Sequence, residues 1–180
     1  MIYMFIAEGF EEIEALCPLD IMRRAGLEVT TVGIGASEIT GAHGITVKTD
    51  VCSCKYDPDN EFDMIFLPGG MPGTLNLENS DIVSKAIENA IKNDKYIAAI
   101  CAAPSILGDM GLLNGKEAIC YPGFEDRLCG AVISNNRVVL DGKILTAAGM
   151  GVASEMGLMI VEIFCGEDTA KKLRHAIIAD

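Results

Sequence analysis

Basic residues and histidines are scarce in this sequence. Its 180 residues include 14 lysines and arginines against 26 aspartates and glutamates, which gives a net charge of −12. Proteins that bind phosphate backbones or acidic lipids need clustered positive charge, so we expect neither nucleic acid nor membrane partners. The two histidines are His43 and His175, and Cys52-Ser53-Cys54 is spaced too tightly for the usual zinc knuckle. We therefore expect no structural metal.

Long hydrophobic runs are also missing. No apolar run approaches the roughly 20 residues that span a bilayer, and residues 1–6 resemble a strand without a basic leader, so we expect no secretion signal. The seven cysteines are an odd number and are scattered through predicted strands and helices. That usage fits a reducing compartment better than a disulfide framework, and it predicts a cytoplasmic protein.

The remaining composition is that of a globular α/β protein. Half of the residues are apolar and 19 are glycine, and nothing divides residues 1–180 into more than one domain. Short apolar strands alternate with amphipathic helices, which predicts one doubly wound, mostly parallel sheet with helices on both faces. We predict core strands at 2–7, 27–34, 62–67, 96–100 and 143–146, and helices at 11–25, 81–93, 105–112, 149–164 and 167–178.

The stretch around Cys101 has the outline of a nucleophile elbow. A strand-length apolar run ends on this cysteine, and a small-residue turn with Pro104 then opens a helix. Such a turn holds a side chain at the carboxyl edge of a parallel sheet, where helix amides favour a thiolate. The alternative is an inert core thiol, because cysteine is among the most buried residue types.

A glycine turn and an acidic helix start are predicted at the same edge. The amides of Gly70 and Ala102 are suited to hold an oxyanion when the thiolate adds to a carbonyl. Glu11, Glu12 and Glu14 crowd the start of the first helix, and a carboxyl pushed toward the cleft would keep its proton and donate to the thiolate. Taken alone, the acidic cluster is better explained as ordinary charge at a helix N-terminus. The Gly69-Gly70 pair alone is about as typical of simple turn chemistry as of an oxyanion site.

Several spaced motifs together resemble one family over essentially the whole chain. They are Gly9-Phe10-Glu11-Glu12-Ile13-Glu14, Met22-Arg23-Arg24-Ala25-Gly26, Leu67-Pro68-Gly69-Gly70, Ala99-Ile100-Cys101-Ala102-Ala103-Pro104, Asp141-Gly142-Lys143-Ile144-Leu145-Thr146 and Gly149-Met150-Gly151. In this order they are similar to the ThiJ/PfpI superfamily, specifically the branch of the parkinsonism-associated protein deglycase.

The resemblance implies a flavodoxin-like fold, a homodimer and a pocket without a cofactor. It makes Cys101 the oxidisable nucleophile, Glu14 its protonated partner, and the amides of Gly70 and Ala102 the oxyanion donors. The implied activities are conversion of methylglyoxal to lactate, deglycation of dicarbonyl adducts, and oxidative-stress sensing through a cysteine sulfinic acid. The enzyme and the sensor or chaperone therefore stay as alternatives.

This sequence departs from the family pattern around the pocket. Ala102 stands where PfpI-like peptidases carry the histidine that follows the cysteine, so a peptidase would lack its base. Tyr121 replaces a histidine of the branch, His43 replaces a loop arginine, and Met150 replaces a proline. We expect Tyr121 and His43 to be auxiliary pocket residues together with Gly69, and proton transfer to depend on Glu14, helped by Tyr121 or water.

Cys120 has two interpretations. Next to Tyr121, it could resolve a sulfenic acid on Cys101 as a disulfide. We favour the alternative, a buried small hydrophobe.

Overall fold

A mixed set of short strands and six helices makes up the computed structural model, which describes residues 1–179. The strands in this part of the chain are β1 (Ile2–Ile6), β2 (Val29–Gly33), β3 (Glu38–Thr40), β4 (Thr46–Lys48), β5 (Val51–Cys52), β6 (Met64–Leu67), β7 (Tyr96–Ile100), β8 (Glu117–Ala118), β9 (Val132–Ile133), β10 (Val138–Asp141) and β11 (Ile144–Ala147). The helices are α1 (Glu12–Arg24), α2 (Gly73–Glu78), α3 (Asp81–Lys92), α4 (Pro104–Asp109), α5 (Ala153–Cys165) and α6 (Glu167–Ala176). Single 3₁₀ turns lie at Ser53–Lys55, Glu125–Arg127 and Met150–Val152.

The central sheet has the order β10-β11-β7-β6-β1-β2-β5. All neighbours in it are parallel except the β10–β11 hairpin, which turns at Asp141-Gly142 as this strong turn dipeptide predicts. The parallel core β2-β1-β6-β7-β11 is the doubly wound, flavodoxin-like order, so the predicted fold class is confirmed.

Two smaller pairs lie outside the central sheet. The β3–β4 hairpin is antiparallel and pairs Glu38–Thr40 with Thr46–Lys48. β8 and β9 pair in parallel through two residues each. The sequence does not predict β9 or α2, because two residues or a turn and a half carry too little periodicity to stand out from a loop.

The side chains of β1 show how the sheet divides the core into two layers. Ile2, Met4 and Ile6 belong to one apolar cluster, and Tyr3 and Phe5 belong to another. Successive strand residues point to opposite faces, so both faces of the sheet are covered. Residues of α1 and α5 fill the first cluster, whereas α2, α3 and α4 fill the second.

Helices α1 and α5 approach each other closely. A Cβ built on Gly157 of α5 would lie 3.0 Å from the Cα of Pro18 in α1. α1 stops before Gly26, whose φ of +82° is the left-handed conformation typical of the residue just beyond a helix C-terminus, and the Leu27 amide donates back to Met22 at 3.1 Å. Within residues 1–179, no helix combines the length and apolar content needed to cross a bilayer.

The carboxyl ends of β1, β6, β7 and β11 meet along one edge of the sheet because these strands are parallel neighbours. The loop before α1, the Gly69-Gly70 turn, Cys101 and the Gly149-Met150 segment follow these four ends in turn. The fold therefore brings the start of α1, the Gly69-Gly70 turn and Cys101 to one edge, as the sequence analysis expected, and adds the segment after β11.

Core packing predicts a large loss of stability on truncation of Phe66. Its side chain in β6 is fully buried among the cluster that α1 and α5 cover. We expect Phe66→Ala to lower the free energy of unfolding by about 3–5 kcal/mol, through lost burial and the cavity left behind. Urea unfolding followed by circular dichroism measures the change.

Ile91→Ala serves as the control, because Ile91 is on α3 and is 46% exposed. We expect that substitution to change the unfolding free energy by no more than about 0.5 kcal/mol. Equal losses in the two variants would contradict the assignment of Phe66 to the core.

Candidate active site

Cys101 occupies a strained backbone position directly after β7. Its φ is +65°, in the left-handed region that non-glycine residues rarely adopt. The Cys101 amide donates to the carbonyl of Ala147 at 2.9 Å, and its carbonyl accepts from the Tyr121 amide at 2.8 Å. The elbow is thus held from two sides, and strain of this kind is typical of functional positions.

Gly69 lies between the side chains of Glu14 and Cys101. A Cβ at this position would lie 2.5 Å from Glu14 Oε2 and 2.6 Å from Cys101 Cβ, so only glycine fits. The Gly69 amide donates to Glu14 Oε2 at 3.1 Å, and the Glu11 amide donates to the Gly69 carbonyl at 2.9 Å. These two hydrogen bonds tie the start of α1 to the end of β6.

Glu14 is a buried carboxyl with few compensating charges, and its side chain is 1% exposed. Burial raises its pKa to about 7, against hydrogen bonds with Cys101 and the Gly69 and Met150 amides, while the charge of Glu11 raises it further. A carboxyl with this pKa carries or releases a proton in the neutral range, which suits an acid–base group.

The Cys101 sulfur has both an acidic partner and two amide donors. It is hydrogen-bonded with Glu14 and accepts from the amides of Ala102 and Gly70. Burial, followed by the charge of Glu14, raises the pKa of the thiol to about 12. Because each negative charge opposes the other, the thiolate forms when Glu14 holds the proton, and the two amides then stabilise the sulfur anion.

Tyr121 lies beside the elbow, and His43 lies further out. The amide of Tyr121 binds the Cys101 carbonyl, and its ring carbon Cδ2 would be 3.3 Å from a Cβ on Gly149. The side chain is 51% exposed, so it borders the opening of the site. His43 lies in the turn between β3 and β4, where Nδ1 is 2.9 Å from Glu12 Oε2 and 3.4 Å from Glu11 Oε2.

Glu11, Glu12 and His43 offer ligand atoms within 4.8 Å of one another, as a metal site would. The buried Glu12 carboxylate already accepts from the His43 amide at 2.8 Å and from its ring. Burial alone would raise the pKa of Glu12, but these hydrogen bonds outweigh it and hold the pKa below its ordinary value. The contacts explain the cluster as an anchor for the hairpin turn.

Cys120 and Cys101 belong to opposite layers of the core. Cys120 is 1% exposed and lies in the cluster that α3 and α4 cover, while Cys101 packs against the cluster that α1 and α5 cover. Burial, then the charge of Glu125, raises the pKa of Cys120 to about 11. This environment is that of a packing residue, in line with the favoured interpretation.

The sequence analysis missed the contribution of β11 to the site. The Met150 amide donates to Glu14, and the Ala147 carbonyl holds the Cys101 amide. Both contacts use backbone atoms, so no residue type marks them in the sequence. The one available signal is position, because residues 147–150 follow a strand that neighbours β7.

A model of the DJ-1/PfpI family matches residues 1–163. Since this match covers most of the chain, the chain belongs to the DJ-1/PfpI family, as the motifs predicted. A solved structure of Toxoplasma gondii DJ-1, titled as oxidized, superposes with a TM-score of 0.94 at 32% identity, covering 98% of this chain and 97% of that one.

Curated relatives place the chain among DJ-1 proteins. Protein DJ-1 homolog B of Arabidopsis thaliana is 35% identical over 96% of this chain, which spans only 40% of that relative's length. The Parkinson disease protein 7 homolog of Danio rerio is 31% identical over 97% of this chain and 95% of its own. The glutathione-independent glyoxalase DJR-1.2 of Caenorhabditis elegans is 30% identical over 92% of this chain and 89% of its own.

The raised pKa of Glu14 predicts a pH-dependent effect of Glu14→Gln on stability. The pKa rises from 4.5 to about 7 on folding, so the native state binds the proton more tightly. That stabilisation is complete below the unfolded pKa and is lost as pH rises through the folded pKa. Relative to the wild type, Glu14→Gln should therefore gain about 2–3 kcal/mol between about pH 5 and about pH 8, measured by urea unfolding.

Glu88→Gln is the matched control, because Glu88 is an exposed carboxylate on α3. We expect its stability relative to the wild type to stay within about 0.5 kcal/mol across the same pH range. A Glu14→Gln difference that does not change with pH would contradict the burial of an ionisable Glu14.

Proposed function

We propose that this chain is a cysteine-dependent, cofactor-free enzyme that acts on reactive dicarbonyls or their adducts, in the manner of a glyoxalase or deglycase. The observation that carries the proposal is the contact of Cys101 with Glu14 beside the amides of Gly70 and Ala102. A sulfur nucleophile with a proton carrier and anion donors beside it is the arrangement that this chemistry requires. The glyoxalase relative from Caenorhabditis elegans supports the same chemistry.

The first step is addition of the Cys101 sulfur to the aldehyde carbon. The thiol proton passes to Glu14 as the carbon–sulfur bond forms, and the carbonyl electron pair moves onto oxygen. The amides of Gly70 and Ala102, which donate to the Cys101 sulfur, are proposed to stabilise the negative charge that develops on this oxygen. Proton return from Glu14 to that oxygen gives a hemithioacetal.

The second step moves a proton between the two carbons of the former dicarbonyl. Glu14, ionised after the first step, removes the proton from the hemithioacetal carbon to give an enediolate, and then protonates the neighbouring carbon while the hydroxyl proton of the first carbon passes to the oxygen of the second. The product is a thioester of a hydroxy acid on Cys101. Water hydrolyses it, so methylglyoxal and one water give lactate without an external oxidant or reductant.

Ala102 and Tyr121 stand where relatives carry histidines, and this affects both the expected catalytic rate and the class of reaction. Ala102 provides an amide but no imidazole, so a peptidase mechanism lacks its base. Tyr121 provides a phenol at the opening in place of the branch histidine. Glu14 is therefore proposed as the main proton carrier.

Lactate formation from methylglyoxal tests the enzyme directly. We expect Cys101→Ser to abolish the reaction, because no sulfur adduct forms, and Glu14→Gln to lower kcat by about 10²–10⁴-fold, because Gln cannot carry the proton. Enzymatic lactate assay without added cofactor or glutathione measures both. Cys129→Ser, at an exposed cysteine, should retain wild-type activity, and an active Cys101→Ser variant would overturn the proposal.

Gly69→Ala tests the geometry without removing a reacting group. The added methyl would overlap Glu14 Oε2 and Cys101 Cβ, so it must separate the two side chains. We expect a loss of at least about 10²-fold in kcat/KM, as misplacement of reacting groups by about 1 Å produces. Gly151→Ala is the matched control, since a Cβ there has open space, and an active, folded Gly69→Ala variant would argue against this site.

A redox sensor is the second candidate, and the same carboxyl favours it. A protonated Glu14 hydrogen-bonded to the Cys101 sulfur can donate to a sulfinate, and the Toxoplasma gondii relative is titled as oxidized. Two hydroperoxide molecules, each reduced to an alcohol or water, would transfer one oxygen each to the sulfur.

Peptide mass spectrometry after mild peroxide treatment tests the sensor. We expect two oxygens on Cys101 before any other thiol is modified, and less sulfinate in Glu14→Gln because the acid donor is replaced. Oxidation spread evenly over the seven cysteines of the chain would contradict it.

The homodimer, the cytoplasmic location and residues 1–180 as one domain stay predictions alongside both functions.

A further inference from the structure

Two neighbouring sulfur atoms lie away from Cys101, at the edge of the sheet opposite β10. Cys52 ends the edge strand β5, and Cys54 follows two residues later with its Sγ 2.9 Å from Cys52 Sγ. Cys54 is exposed and Cys52 is partly exposed, so solvent species reach both thiols. The proposed chemistry at Cys101 does not use either of them.

The local backbone brings the two sulfurs together. Ser53–Lys55 forms a 3₁₀ turn, so Cys54 folds back toward Cys52 rather than continuing along the strand. The Cys54 amide donates to Cys52 Sγ at 3.4 Å, and Ser53 Oγ accepts from the Gly35 amide at 3.0 Å. The spacing is therefore held by contacts on both sides of the turn.

The two thiols are not equivalent. Hydrogen bonds from the Cys54 thiol and amide lower the pKa of Cys52, and the charge of Lys55 adds to this. The hydrogen bond with Cys52 raises the pKa of Cys54. Cys52 is therefore the first thiol to ionise and the better nucleophile near neutral pH.

We infer that Cys52 and Cys54 form a second thiol site that exchanges with small-molecule disulfides and closes to an intramolecular Cys52–Cys54 disulfide. The chemical class of its reaction partner is a low-molecular-weight disulfide such as oxidised glutathione. Paired, accessible thiols of unequal acidity are suited to this exchange, because one attacks and the other resolves.

The exchange balances in two steps. The Cys52 thiolate attacks one sulfur of the external disulfide, which breaks that bond and releases one thiolate, leaving a mixed disulfide on Cys52. Cys54 then gives up its proton to the released thiolate and attacks the Cys52 sulfur, which expels the second small thiol. Two electrons pass from the protein dithiol to the external disulfide, and two small thiols form.

This site is separate from Cys101. In the sheet order, β5 is four strands from β7, which corresponds to about 19 Å at the usual strand spacing. Cys101 therefore cannot resolve a mixed disulfide on Cys52, and Cys54 is the thiol within reach. Variants at Cys101 leave the pair intact and allow the two sites to be tested independently.

Equilibration of the reduced full chain with mixtures of reduced and oxidised glutathione tests the inference. After acid quenching and alkylation, peptide mass spectrometry should show a Cys52–Cys54 disulfide with a loss of two hydrogens in the wild type and in Cys101→Ser. In Cys54→Ser the mixed disulfide on Cys52 should accumulate, while in the wild type it stays below about a tenth of that level because Cys54 is at high effective concentration.

Cys52→Ser provides the reverse comparison, since loss of the nucleophile should leave Cys54 largely unmodified. Non-reducing electrophoresis separates a closed ring from a disulfide between two chains. Glutathione retained on Cys52 of the wild type, a disulfide between chains, or equal modification of Cys52 and Cys129 would each overturn the inference. Circular dichroism of each variant confirms that the fold is retained.

Discussion

The close approach of the Gly69 backbone to Glu14 and Cys101 is the contact on which the candidate site depends. With hydrogen in place of a side chain, the chain after β6 passes between the two groups and still donates to the carboxylate at 3.1 Å. The Gly69 carbonyl meanwhile accepts from Glu11 at 2.9 Å, so the start of α1 is fixed against the sheet. A side chain here would separate a buried acid from the thiol that it serves, and the helix carrying that acid would shift with it.

Two groups that both resist ionisation then share one location. Burial raises the pKa of Glu14 to about 7 and that of Cys101 to about 12. A single negative charge on the pair is tolerated because amides of Gly69, Gly70 and Ala102 face it, and a second charge is opposed by the first. The higher pKa of the thiol keeps the proton on sulfur at rest, and Glu14 can accept it within the pair without any change in net charge. This is the property that both a proton-transferring enzyme and an oxidisable thiol need.

Much of this arrangement follows from patterns that the sequence displays. The apolar run before Cys101, the Gly69-Gly70 turn and the acidic start of α1 are local signals, and parallel strands bring them to one edge. The Met150 amide and the distribution of Cys101 and Cys120 over two core layers were not predictable in this way. They depend on the order in which strands pair and on which face a turn presents, and neither leaves a residue signature. The ring of His43 contacts Glu12, and its expected place as an auxiliary pocket residue stays a prediction.

Most of the donors that face the Cys101–Glu14 pair belong to the main chain. Gly69 and Gly70 must stay glycine to present their N–H groups, but substitution at 102 or 150 by any residue other than proline leaves the donor in place. Most substitutions at these two positions therefore leave the hydrogen-bond donors of the site unchanged, and relatives can differ there without losing them. Proline at residue 150, the first residue of a 3₁₀ turn where its ring is tolerated, would delete one donor and leave the carboxyl more basic. Residue 150 is thus a backbone position at which the proton affinity of Glu14 can change while the reacting side chains stay constant.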